Sequence, residues 1–178
     1  PLRANGAPPV EHTLALRAGE MRLDGFNLSR DSVPAGETFD IDMAWTALAP
    51  QPVDYQSEIS LVGSDGLIWS RKGTERPRVY EDAPPTRTWS SGEWGWDSRE
   101  VRTLSGAPPG IYDIVATLFD KATLAPVTFL DTDTGEVVGP AATIGRIEIA
   151  NPGRASNLAL QFLARGGFIG RALRRLRE

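Results

Sequence analysis

Apolar and polar residues alternate with a period of two through most of the chain. The clearest stretch is "ETFDIDMAWTAL", where Phe39, Ile41, Met43 and Trp45 alternate with Thr38, Asp40, Asp42 and Ala44. Such spacing gives a strand one buried and one wet face, as in an antiparallel sheet covered on one side. "DYQSEISLVG" repeats the pattern with Tyr55, Ile59 and Leu61; "SDG" (Ser64–Gly66) then reads as a turn and "LIWSR" as the returning strand. "REVRTL" predicts a short strand. "APPG" (Ala107–Gly110) is a turn that launches "IYDIVATLFD", with Tyr112, Ile114, Ala116 and Leu118 on one face. "VTFLDTDTGEVV" predicts a strand and hairpin, and "IGRIEIA" closes the series.

Seven to nine short strands at spacings of roughly ten residues predict an all-β fold, an immunoglobulin-like antiparallel β-sandwich. Residues 1–19 read as an N-terminal linker or first edge strand and 20–152 as the sandwich. Residues 153–178 change period: Leu158, Phe162, Ile169, Leu173 and Leu176 form one helical stripe, interrupted by Gly166–Gly167. The expectation there is a short amphipathic helical tail.

Composition sharpens this picture. Gly 18 and Pro 14 suit many strands joined by tight turns. Without cysteine there is neither a disulfide framework nor a thiolate metal site. No stretch reaches the roughly 20 apolar residues of a membrane span, and no signal peptide is visible. A start at Pro1 reads as a processed chain or an excised piece of a longer one. The tail carries six arginines against one glutamate, whereas the chain as a whole has 19 basic and 23 acidic side chains. The body is therefore acidic, which argues against nucleic acid as a partner.

The candidate chemistry is sparse. Catalysis is not expected: the single histidine, His12, falls in the linker and reads as solvated, so Ser–His and Cys–His nucleophiles have nothing to work with. "GSDG" reads as a β-turn, and Asp40 and Asp42 as the wet face of a strand. "DTDTGE" offers Asp131 and Asp133 as weak metal candidates, but Gly135 and Ala142 stand where a calcium loop needs its fifth and twelfth ligands. A hairpin turn is the expected reading, with no cofactor and no metal.

Three of the five tryptophans lie in "TRTWSSGEWGWDSREV". Trp89, before a permissive Gly92, reads as a packing residue. Trp94 and Trp96, if extended, share a face about 7 Å apart. Such a pair can stack on sugar rings, meet a protein or membrane partner, or simply cover the fold. The tail residues Phe162, Arg165, Ile169, Arg171, Leu173, Arg174 and Arg175 form the other candidate surface. They suit an anionic membrane, at about 1 kcal/mol per basic residue near the headgroups, or docking on a protein.

Scattered residues also follow a family pattern: Leu23, Gly25-Phe26, Pro34-Ala35-Gly36, Trp45 and Asp54-Tyr55, then Pro85-Thr86, Trp89, Gly92-Glu93 and Asp97. Pro108, Gly110, Tyr112 and Leu118-Phe119-Asp120 continue it. Over roughly residues 20–150 the chain resembles the C-terminal extracytoplasmic β-sandwich of bacterial multi-span membrane glycosyltransferases, of the mannosyltransferase- and arabinosyltransferase-like kind. The membrane-embedded part that would carry sugar transfer is missing from this sequence. The resemblance therefore implies context: a non-catalytic accessory domain outside the cytoplasm, membrane-associated, with glycan as a candidate ligand. The alternative is a structural subunit of a membrane or cell-surface assembly, binding partner proteins through the sandwich and the basic tail.

Overall fold

The computed structural model describes residues 6–71 and 85–151. Among the described residues there are eleven strands: β1 (His12–Ala18), β2 (Met21–Leu28), β3 (Ser32–Pro34), β4 (Thr38–Ala47), β5 (Tyr55–Val62), β6 (Trp94–Arg102), β7 (Gly110–Asp120), β8 (Pro126–Val127), β9 (Phe129–Asp131), β10 (Val137–Gly139) and β11 (Ala142–Ala150). They form two packed sheets, in the orders β10-β9-β1-β2-β4-β6 and β3-β11-β7-β5, with β8 paired to β7. All pairings are antiparallel except β3 with β11. The described residues form an all-β sandwich. Among the described residues no helix is long and apolar enough to cross a membrane.

The period-two faces meet in one core. Phe39, Ile41, Met43 and Trp45 of β4 are buried with Leu23 and Phe26 of β2, opposite Ile59, Leu61, Tyr112, Ile114, Ile147 and Ile149 of the other sheet. Each of these side chains contributes roughly 1.5–3 kcal/mol when withdrawn from water. Burial raises the phenol pKa of Tyr55, with Glu20 and Asp120 adding to it, and that of Tyr112, with Asp65 adding.

Several elements differ from the sequence-based expectations. β1 begins at His12, within the predicted linker, and lies inside its sheet between β2 and β9 rather than at an edge. Leu14, Leu16 and Ala18 alternate there, but Ala15 on the opposite face blurs the period, and only Leu16 and Ala18 are fully buried. "REVRTL" proves to be the end of a nine-residue strand that starts at Trp94. "LIWSR" makes only isolated bridges, Val62 to Ile68 and Ser70 to Thr103, because the chain crosses there from β5 towards β6. The count exceeds nine because β3, β8, β9 and β10 are pieces of two or three residues. The predicted helical tail, 153–178, lies outside the described residues.

One seam between the sheets is polar. β5 and β6 are facing edges, and Ser57, Asp97 and Arg99 are all buried between them. Arg99 Nε donates to Asp97 Oδ1 at 2.8 Å and Nη2 donates to Ser57 Oγ at 2.9 Å, while the Ser57 hydroxyl donates to Asp97 Oδ2. Burial of two opposite charges is tolerable because each has polar partners in place.

Candidate functional site

Pairing register places the two tryptophans. In β6 the inward residues are Gly95, Asp97, Arg99 and Val101, so Trp94, Trp96, Ser98 and Glu100 point outward. Trp94 stands opposite Thr46 of β4, which stands opposite Arg22 of β2. Trp96 stands opposite Ala44, itself opposite Gly25. Facing side chains in such pairs have Cβ atoms about 5 Å apart. The outer face of the six-stranded sheet thus carries two cross-strand rows, each ending on an indole at the β6 edge.

These rows explain a break in the pattern of β4. Asp40 and Asp42 face water as expected, but Ala44 and Thr46 on the same face are 0% and 6% exposed. The indoles cover them. Trp94 and Trp96 pack edge to face, with ring centroids 5.5 Å apart and planes at 90°. Trp94 is buried and Trp96 half-buried, so the pair offers one ring's surface to solvent rather than two coplanar faces. The buried Trp94 Nε1 has no hydrogen-bond partner among the described residues.

A polar chain runs beside the indoles. The register of β2 slips between Leu23 and Gly25, leaving Asp24 in a bulge. Its Oδ2 accepts the Thr46 hydroxyl and its Oδ1 accepts Arg22 Nε at 2.6 Å. The Asp24 side chain is only 12% exposed, so its position is fixed. Arg17, paired with Arg22, is held by Gly19 O at 2.7 Å and Glu20 Oε1 at 2.9 Å. Gly25 accommodates the incoming N-terminal segment: a Cβ there would lie 2.2 Å from His12 O and 2.8 Å from Val10. The arrangement joins an apolar ring surface to a fixed carboxylate and two guanidinium groups. That set can stack on the C–H face of a sugar and hydrogen-bond its hydroxyls.

Several other candidates have local structural partners. Trp89 is a core residue, and Gly92 takes φ +83° in the turn that follows it. Asp131 organises a hairpin: Oδ1 accepts the amides of Asp133 at 2.9 Å and Thr134 at 2.8 Å, and Gly135 has φ +75°. The Thr134 amide bond is the main cause that lowers the Asp131 pKa; burial opposes it, and the Thr134 hydroxyl and the Asp133 amide add to the lowering. Asp133 is exposed, and no three His, Asp or Glu among the described residues converge as metal ligands. In "GSDG", Asp65 accepts the Leu67 amide and Trp69 Nε1, as a turn residue does. His12 stacks on Phe26 with centroids 4.7 Å apart. Phe162, Arg165, Ile169, Arg171, Leu173, Arg174 and Arg175 lie outside the described residues.

Sequence reasoning missed Asp24, Thr46 and Arg22 beside the indoles. Their signal is weak: three polar residues on two strands, joined only once the bulge in β2 sets the register. The loss of charge at Ala44 and Thr46 after Asp40 and Asp42 was the one readable sign that something covers this face. No protein-family model matches the chain, and no curated protein sequence matches it.

Proposed function

We propose that this protein is a non-catalytic, immunoglobulin-like recognition module that binds carbohydrate on the outer face of its six-stranded sheet. One observation carries the reading: Trp96 remains half-exposed beside the buried Trp94, next to the Arg22–Asp24–Thr46 hydrogen-bond chain. Pyranose recognition calls for an apolar ring surface bordered by fixed planar polar groups, and the site supplies both. The location belongs to the proposal too. The resemblance over 20–150 supports an extracytoplasmic accessory domain beside a membrane glycosyltransferase-like protein.

A glycan-array screen of the chain, with Trp96→Ala and Asp24→Asn beside it, tests this reading. The expected result is binding by the wild type that is lost in Trp96→Ala and weakened in Asp24→Asn, with circular dichroism unchanged. Wild-type binding to no glycan would reject it.

A second reading, a structural subunit that docks on a partner, is favoured by Leu124. This residue adopts φ +58° at the tip between β7 and β8 and is 67% exposed. A left-handed backbone costs a leucine roughly 1–2 kcal/mol, and at such positions strain signals a use for the side chain.

A further inference from the structure

A cleft of about 430 Å³ opens where β1 and β2 face β11, on a different part of the molecule from the indoles. Its aromatic wall is the His12–Phe26 stack, with rings inclined by only 18°. Phe26 fits against β11 because residue 145 is glycine: a Cβ there would stand 2.6 Å from Phe26 Cζ. Leu28 and Ile144 add apolar surface, and the rim carries Glu11, Asp31 and Arg146.

The rim charges do not cancel. Arg146 Nε donates to Asp113 Oδ1 at 2.9 Å, so that cation already has its counter-charge. Glu11 and Asp31 have no side-chain ion pair or hydrogen bond among the described residues. Both are held in place through backbone: the Glu11 amide donates to Asn27 Oδ1 at 2.7 Å and Asp31 O accepts the Glu148 amide at 3.1 Å. Two unpaired carboxylates beside a stacked aromatic wall attract positive charge by Coulomb and cation–π forces together. These groups do not converge as ligands of a metal ion. The volume and the apolar walls suit a larger cation.

We propose that this cleft is a second ligand site, for a small organic ammonium with an apolar body. Its charge meets Glu11 and Asp31, and its apolar part lies on His12 between Leu28 and Ile144. The proposal stands apart from the carbohydrate reading, since it shares no residue with the outer face.

His12 is the chain's single histidine, so its imidazole carbon–proton signals give an unambiguous probe. Benzylamine is titrated into the full chain and followed by NMR, with benzyl alcohol and benzoate as neutral and anionic counterparts. Saturable movement of the His12 signals by millimolar benzylamine alone is expected. Glu11→Gln and Asp31→Asn, both exposed, should each weaken binding roughly two- to fivefold, as loss of an exposed ion pair does. Unmoved signals, equal movement by benzyl alcohol, or an unchanged affinity in both variants would overturn the proposal.

Discussion

Asp97 and Arg99 show how much a single position can depend on its neighbours. Both look like surface residues in the sequence, yet their side chains are 8% and 7% exposed. β6 turns them inward beside Ser57 at the seam of the two sheets. Removing one partner leaves the other charge buried, which costs about 3–5 kcal/mol. Arg99→Met should therefore lower the unfolding free energy in urea by about that amount, whereas Glu100→Gln on the exposed face should change it by less than about 0.5 kcal/mol. Leu124 offers the opposite case. Its turn is already fixed by the Asp120 carboxylate, which accepts the amides of Ala122 at 2.8 Å and Thr123 at 3.4 Å. Leu124→Gly should relieve the backbone and stabilise the fold by roughly 0.5–1 kcal/mol, read from the same urea curves. If Leu124 is a docking residue, that gain in stability will come with loss of the partner.

At the scale of elements, β4 and β7 were legible because one face of each is continuously apolar and long enough to show its period; β5 and β11 showed theirs through Tyr55, Ile59 and Leu61 and through Ile147 and Ile149, although Ser57 and the register shift between Thr143 and Gly145 interrupt it. Pro34-Ala35-Gly36 stood out in the sequence only as part of the family pattern; the residue that holds this turn was not legible. Thr103, 67 residues away from Gly36, accepts the Gly36 amide at 2.8 Å and lies within donor reach of Glu37 O at 3.0 Å and Pro34 O at 3.2 Å. It is almost wholly buried. Thr103→Val keeps the shape and removes the hydroxyl, so it should cost about 1–3 kcal/mol and loosen this turn, visible as faster exchange of the Gly36 amide. Short pairings such as β3 with β11 were illegible for the same reason: three-residue strands carry no period, and their partners are set by long-range packing. The split of Trp94–Arg102 into a tryptophan segment and a short strand had another cause. An inner face reading Gly95, Asp97, Arg99 and Val101 does not look like a core.

For the whole molecule, pH acts at both ends of the scale through groups that packing has shifted. Asp120 and Asp131 sit below the usual carboxylate pKa because backbone amides bond their charged forms, Ala122 foremost for the first and Thr134 for the second. Their contribution is present above the ordinary carboxylate range and is lost as pH falls through the lowered values. The buried phenols of Tyr55 and Tyr112 are raised, so their contribution is complete below the ordinary phenol range and is lost as pH rises through the raised values. The melting temperature should be flat near neutrality and fall on both sides. Asp131→Asn should flatten the acid limb, and Tyr55→Phe the alkaline one.

The sandwich was readable from sequence, and so was the special standing of Trp94 and Trp96, because two indoles flanking a glycine in an extended segment must share a face. Their perpendicular packing and the carboxylate beside them were not readable, since both follow from the pairing of β2, β4 and β6. The central claim is that this outer face binds sugar through Trp96. The most direct test is an NMR titration of the chain with mannose- and arabinose-containing oligosaccharides, following the five indole Nε1–H signals. Trp96 and Trp94 should move together and saturably while the core residues Trp45 and Trp89 stay still. Movement of none of the five, or of signals other than these two, would contradict it.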